Sequence, residues 1–207
     1  MTKSAAGRSS TPVGAVLAGG AGRRMGRAKA VVELGGRPLI SYPLAAVEAA
    51  GLEPVVVCKG ESKLPPLDCR VVREPPEPRH PLAGIVAALE ASGDAPVVAV
   101  ACDMPFLEPA LLGALAGLDA PLAVAEAAGR LQPLPGRYPP ALTRELSAAL
   151  GRGLSLRDTV TSLGACVLAE SELGRFGDPR WLWFSVNDEA NLATAEAALR
   201  ARRAAPP

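Results

Sequence analysis

Val13-Gly-Ala-Val-Leu-Ala-Gly-Gly-Ala-Gly-Arg-Arg-Met-Gly-Arg-Ala-Lys29 begins as an apolar run and becomes, from Gly19, a loop of glycines and cations. Between Leu17 and Lys29 stand four glycines and four cationic side chains. Glycines let the backbone take positive φ and come close to a ligand, and successive N–H groups in such a loop form a nest for phosphate oxygens. Arg23, Arg24 and Lys29 then supply charge to a bound anion. A Gly-rich turn with a solvated basic face would carry similar letters. The position directly after a buried-type strand argues for the ligand, because α/β sheets bind ligands at the carboxyl ends of their strands.

The rest of the first half repeats this alternation. Apolar strand candidates at Val13 to Ala18, Pro54 to Cys58, Arg70 to Arg73 and Pro96 to Ala101 are separated by helical patterns at Pro38 to Ala50 and Pro81 to Ala91. Near-continuous apolar strands separated by helices predict an α/β fold, a mostly parallel sheet with helices on both faces in three layers. Further strands are expected at Leu122 to Ala125, Leu131 to Tyr138, Cys166 to Ala169 and Trp181 to Val186. A last helix is expected after Asn187 as N-cap, with Asp188 and Glu189 in its first turn, ending near Arg203.

A chain of 207 residues with 49% hydrophobic content suits one domain with a sizeable core. That domain is assigned to residues 13–203, with the polar segment 1–12 as a disordered tail and 204–207 as a short C-terminal one. A net charge of +1 provides no global field for nucleic acid or an anionic membrane surface. The apolar runs are too short for a membrane-spanning helix, and the N-terminus lacks the apolar core of a signal peptide. Cys58, Cys69, Cys102 and Cys166 form no C-x-x-C pair. They read as reduced thiols of a cytoplasmic protein. With one histidine, His80, a zinc site is disfavoured.

Two common phosphate loops fail letter by letter. A dinucleotide fingerprint from Gly20 has Gly22 but then Met25 in place of the third glycine. A Walker loop ending at Gly26 would need a glycine at Ala21 and a lysine at Arg27. The stretch instead resembles the L-A-G-G-x-x-x-R-M-G-x-x-K signature of nucleotidyltransferases that activate sugars, alcohols and molybdopterin. Leu17, Ala18, Gly19, Gly20, Arg24, Met25, Gly26 and Lys29 match it.

Asp103, in Ala101-Cys-Asp-Met-Pro105, is the first charge after the apolar run from Ala95. As a strand-end carboxylate beside a phosphate loop it suits Mg²⁺, which takes one or two protein carboxylates and completes its shell with water and phosphate oxygens. The alternative is a turn aspartate held by Pro105. His80-Pro-Leu-Ala-Gly84 opens a helix with Pro at its first turn, where free N–H groups could meet an anion or a base edge. His80 itself reads as a loop histidine, not a catalytic base.

These segments, with Gln132-Pro-Leu and Tyr138, Gly151 to Leu156, and Val186-Asn-Asp-Glu-Ala-Asn-Leu192, occur in the order and spacing of the molybdenum cofactor guanylyltransferase family, which the chain resembles from Val13 to about Ala198. The resemblance implies GMP transfer from GTP to molybdopterin with release of pyrophosphate, Mg²⁺ as cofactor, and transient contact with proteins that supply molybdopterin or receive the product. It implies that Leu17, Ala18, Gly19 and Lys29 hold the nucleotide, to which the anion-cradle reading of the loop adds Gly20, Gly22 and Arg23 and the helix start adds Leu82 and Gly84. Asp103 would bind both nucleotide and Mg²⁺, and Lys29, Arg24 and Asp103 would carry the catalysis. Base contacts are implied at Cys58 and Glu74, where the family usually has Asn and Asp; Glu can accept from the guanine N1–H and N2–H₂ edge, whereas Cys cannot replace an amide. Ala28 and Ser185 depart from a usual Asp and Asn. Arg152, Arg157 and Asn187 are candidates for the acceptor side. Alternatives are transfer of CMP or another nucleotide to a related acceptor, and a non-catalytic molybdopterin-binding adaptor. The leaving-group charges of the loop speak against the adaptor.

Overall fold

Apolar strands, most of them separated by helices, build a sheet whose parallel strands all end on one edge, and that edge carries the candidate site. The computed structural model describes residues 11–20 and 27–204. Along the chain come β1 (Val13–Leu17), β2 (Glu33–Leu34), β3 (Arg37–Pro38), α1 (Ser41–Ala49), β4 (Glu53–Cys58), β5 (Arg70–Arg73), α2 (Pro81–Ser92) and β6 (Val97–Ala101). The second half adds α3 (Pro109–Gly117), β7 (Ala123–Ala127), β8 (Arg130–Tyr138), α4 (Thr143–Gly151), α5 (Leu156–Ser162), β9 (Cys166–Leu168), α6 (Pro179–Leu182) and α7 (Glu189–Ala204).

Seven strands form one sheet in the order β5-β4-β1-β6-β8-β7-β9. Among the described strands of this sheet only β8 runs antiparallel to its neighbours, β6 and β7. The pairs β1 with β4, β1 with β6, β4 with β5 and β7 with β9 are parallel. Successive side chains on a strand point to opposite faces, and here both faces are covered. Val13, Ala15, Val55, Val57, Val97 and Ala99 pack under Ile85 and Leu89 of α2 and Leu146 of α4. Val16, Val56, Val98 and Val100 pack against Leu44 and Val47 of α1 and Leu112 of α3. A strand buried on both faces has no polar side to display, which is why β1, β4 and β6 read as unbroken apolar runs.

Register aligns the strand ends. Leu17 pairs with Val57 and with Ala101, and Cys58 with Arg73. The residues that follow, Ala18, Lys59, Glu74 and Cys102, therefore emerge along one edge of the sheet.

The helix expected from Pro38 starts later, at Ser41, because Pro38 is taken into the β2–β3 hairpin, where Glu33 pairs with Pro38. Gly35 and Gly36, at φ +56° and +78°, supply the left-handed turn that this hairpin requires. The strand expected at Trp181 to Val186 does not form. Asp178 and Pro179 are helix-start residues, and the Asp178 side chain accepts from the Arg180 N–H at 3.0 Å to open α6. Trp181 and Phe184 then pack on Phe106, with ring centroids 4.9 and 5.9 Å away, instead of pairing along the sheet. Helices α3, α4 and α5, which the strand-centred reading of the second half did not include, also form. Asn187 is not the cap of α7. Asp188 accepts from the Asn191 N–H at 2.8 Å and does that work, which leaves the Asn187 side chain for the site.

Candidate active site

A cavity of about 570 Å³ opens along the strand-end edge, lined by Leu17, Gly19, Gly20, Lys29, Lys59, Glu74, Arg79, His80, Pro81, Gly84, Ala101, Cys102, Asp103, Leu134 and Asn187. On the β6 side of β1, the Lys29 ammonium donates to Asp103 Oδ2 at 2.5 Å and to Asn187 Oδ1 at 2.6 Å. Each of the three comes from a different part of the chain. Asp103 follows the end of β6, and Lys29 begins a one-turn 3₁₀ helix, Lys29–Val31, after the glycine loop. Asn187 is brought in by the segment before α7, whose Val186 N–H donates to the Asp103 carbonyl at 2.9 Å.

On the other side of β1, past the ends of β4 and β5, lies a second lysine–carboxylate pair. Lys59 Nζ stands 3.5 Å from Glu74 Oε1 and donates to the Pro75 carbonyl at 2.6 Å. Burial pushes the Glu74 carboxyl above the usual range, and the neighbouring Lys59 ammonium opposes that rise. The loop glycine is fitted to this carboxylate, since a methyl group added at Gly19 would lie 2.0 Å from Glu74 Oε1.

At the start of α2, His80 Nδ1 accepts from the Leu82 N–H at 3.1 Å. Burial holds the His80 pKa below its ordinary value, which favours the neutral ring that this acceptor role needs. Burial pushes the Cys102 thiol up to about 12, so it lines the cavity as a neutral group and not as a thiolate.

A second, smaller cavity of about 320 Å³ adjoins the first, sharing Ala101 and Leu134, and includes Gln132, Trp183, Ser185 and Arg157. The buried Tyr138 hydroxyl, at the far end of β8, donates at 2.7 Å to the carbonyl of Pro133, which lies between Gln132 and Leu134 on the wall of the second cavity.

Of the residues singled out from sequence, Leu17, Gly19, Gly20, Lys29, Glu74, Gly84, Asp103 and Asn187 share the main cavity, and Arg157 lines the second. Gly22, Arg23 and Arg24 lie outside the described residues. Four of the residues singled out from sequence line neither cavity. Ala18 and Cys58 are turned into the core on the α1 face, where Cys58 Sγ accepts from Arg73 at 2.9 Å. Leu82 is wholly buried and its N–H is already taken by His80, so neither its side chain nor its amide reaches the cavity. Arg152 sits exposed just after α4 and lines neither cavity. Lys59 was missed, although it carries the signal that singled out Asp103: it is the first charge after an apolar strand. Arg79, which reaches the cavity through ion pairs with Glu61 and Glu77, carries no such signal.

A sheet of this order, with a glycine-rich sequence after β1 and a carboxylate after β6 meeting a lysine, has the arrangement of a nucleotidyltransferase. The comparisons bear on the particular kind. Residues 14–166 match the MobA-like NTP transferase domain. The chain is 34% identical over 196 residues to a molybdenum cofactor guanylyltransferase of Cereibacter sphaeroides, covering 90% of this chain and 96% of that one. It is 34% identical to one from Rhizobium johnstonii, covering 92% and 94% of the two chains. Among solved structures, molybdopterin-guanine dinucleotide biosynthesis protein A from Archaeoglobus fulgidus superposes with a TM-score of 0.75 at 27% identity, over 91% of this chain and 98% of that one. The chain belongs to the MobA-like NTP transferase family.

Proposed function

We propose that this protein transfers GMP from GTP to the terminal phosphate of molybdopterin. The observation that carries this reading is the meeting of Lys29, Asp103 and Asn187 at the strand-end cavity, in a chain alike over nine-tenths of its length to proteins named for that reaction. An oxygen of the acceptor phosphate attacks the α-phosphorus of GTP in line. The bond from that phosphorus to the bridging oxygen breaks, and pyrophosphate leaves with the electron pair. Positioning and charge carry such chemistry, with little covalent work for the protein.

The donor set suits Mg²⁺. Asp103 Oδ2 and Asn187 Oδ1 already converge on one cationic group, the Lys29 ammonium, and both are hard oxygen donors. Among the described residues no three His, Cys, Asp or Glu side chains form a cage. Asp103 and Asn187 would hold the ion, with phosphate oxygens and water in its remaining positions. Bound there, Mg²⁺ would withdraw charge from the phosphate oxygens. Lys29, displaced from the carboxylate, is then placed to donate to the same phosphates. Gly19 and Gly20 leave the backbone open to close approach, and Glu74 offers acceptors to the base. Arg157, in the adjoining cavity, is placed for the acceptor, with its Nε held by the Leu131 carbonyl at 3.1 Å. The four free thiols support work in a reducing cytoplasm.

The test is incubation with Mg²⁺, molybdopterin and each of the four nucleoside triphosphates in turn, reading pyrophosphate. Release with GTP above the others is expected. Release with CTP alone would move the protein to the cytidylyl branch, and binding of both substrates without release would make it an adaptor.

A further inference from the structure

Lys59 has no place in the reaction described above, yet it is among the most deeply buried charged side chains described, with 1% of its side chain exposed. Burying an ammonium is costly unless it is paired and hydrogen-bonded. Three acceptors surround it: the Pro75 carbonyl at 2.6 Å, the Pro78 carbonyl at 3.4 Å and Glu74 Oε1 at 3.5 Å. Those carbonyls belong to the Pro-rich loop after β5, Glu74-Pro-Pro-Glu-Pro78, in which three of five residues have no N–H. The Lys59 backbone is itself pinned, its N–H donating to Ser62 Oγ at 3.2 Å and its carbonyl accepting from Arg73 at 2.9 Å. The ammonium's donors are thus committed, and none is left over for a ligand.

Lys59 and Glu74 both border the cavity, but with the ammonium's donors committed, the Glu74 carboxylate is the group of this pair left to accept from a ligand. A methyl at Gly19 would overlap its Oε1, and one at Gly84 would stand 3.4 Å from its Oε2. Both oxygens are therefore located between the loop after β1 and the first turns of α2. A carboxylate in that slot can accept two parallel N–H bonds, the pattern that guanine shows at N1 and N2 and adenine does not. A protonated carboxyl cannot accept both. Burial favours protonation of Glu74, Glu61 acts the same way more weakly, and Lys59 and Arg79 oppose it, with Lys59 the larger opposing influence. The neutral His80 beside the cavity adds no charge.

We propose that Lys59 is a positioning residue for base selection: its sealed ammonium holds the Glu74 carboxylate charged and fixed as a twin acceptor for a purine edge with two adjacent N–H donors. The inference rests on Glu74 being the base acceptor. Lys59 touches neither nucleotide nor phosphate and acts through Glu74 and the Pro75–Pro78 backbone.

The experiment is competition binding of GTP, ITP and ATP against a fluorescent GTP analogue. It uses the full chain and its Lys59→Met, Glu74→Gln and double variants, from about pH 6 to about pH 8, where the purine N1–H stays protonated. The unaltered protein should prefer GTP over ATP by roughly tenfold or more, a gap that corresponds to about 1.4 kcal/mol, and the preference should be flat with pH. In Lys59→Met the carboxyl loses its opposing charge and titrates higher. Preference for GTP should then collapse at the acid end and return as pH rises, with ITP, which lacks the N2 donors, affected less. In the double variant the preference should be low at every pH, as in Glu74→Gln. Lys59→Gln, which keeps an N–H for the Pro75 carbonyl, serves if Lys59→Met does not fold. If neither folds, a ¹³C titration of the Glu74 carboxyl in the unaltered protein, assigned with Glu74→Gln, must find it charged across that range; a carboxyl protonated at neutral pH overturns the inference. Equal binding of GTP and ATP by the unaltered protein overturns the Glu74 reading and this inference together. A GTP preference that survives in Lys59→Met with a flat pH profile, or a loss of affinity equal for all three nucleotides, overturns this inference alone.

Discussion

Lys29 and Asp103 meet at 2.5 Å with 18% and 13% of their side chains exposed, whereas Lys59 and Glu74 stand 3.5 Å apart with 1% and 5% exposed. The two pairs flank β1 in one cavity and have the same chemical makeup. What separates them is water. At the Lys29 pair, each charge keeps solvent contact, so incoming phosphates and a cation can replace the partners without stranding either. At the Lys59 pair, removing one charge leaves the other in a low dielectric, where an uncompensated charge is expensive. The first pair is therefore exchangeable, as the proposed reaction requires. The second is a fixed part of the wall, suited to holding a shape.

That contrast breaks most decisively at Asp103. Asp103→Asn keeps the side-chain shape and removes the charge that meets Lys29 and that would hold Mg²⁺ in the proposed reaction, so pyrophosphate release should fall by on the order of 10²-fold or more. The melting temperature should barely move, because the site is open to water. A folded variant with near-normal release would make Asp103 a turn residue. Lys29→Ala should weaken GTP binding and slow transfer together, by about 1.5 to 3 kcal/mol, as expected for a lost charge-assisted phosphate contact. Calorimetric affinity and rate both unchanged would reduce Lys29 to a surface charge.

The sealed pair should respond in the opposite way, in selectivity and stability before rate. Glu74→Ala should narrow the preference for GTP over ATP by roughly tenfold and lower stability by on the order of a few kcal/mol, since Lys59 keeps only its carbonyl partners. Thermal melts and competition titrations read the two effects separately, and a variant that loses rate but keeps selectivity would erase the distinction between the pairs. Gly19→Ala offers a milder version, pushing the carboxylate aside without removing it. Its selectivity should shift in the same direction as in Glu74→Ala but by less. The smallest effect belongs to Asn187→Ala, which removes the neutral one of the two oxygens that meet Lys29 and would hold the ion, and should cost about 1 kcal/mol in transition-state stabilisation. A loss as large as that of Asp103→Asn would place Asn187 on a level with the carboxylate as a holder of the cation.

The parallel core and the Asp103 end of the site were legible in the sequence for one reason. Strands buried on both faces must be continuous apolar runs, so each run announces its own end with the first charge that follows it. Asp103 after β6 was read in that way; Lys59 after β4 has the same signature and was passed over in favour of Cys58, whose side chain the pleat turns toward the α1 face. One residue along a strand reverses the face, and only the pleat and register decide which of two neighbours borders the cavity. The segment at Trp181 to Val186 misled for a different reason. Aromatic and β-branched letters suit a strand, yet the Asp178-Pro179 start and the Phe106 contact outweighed them.

By itself the sequence determined which stretches would be buried, where the glycine loop had to fall and which charges lay at strand ends, because burial and turn chemistry act on neighbours along the chain. Tertiary structure alone decided that Asn187 would close on Lys29 across 158 residues, that Leu82 would surrender its N–H to His80, and that Lys59 would be sealed against Glu74. Those outcomes depend on strand register and on how the segment before α7 hangs from the Asp103 carbonyl. Contacts between distant segments leave no periodicity in the chain, so they exist only once the sheet has brought its ends together.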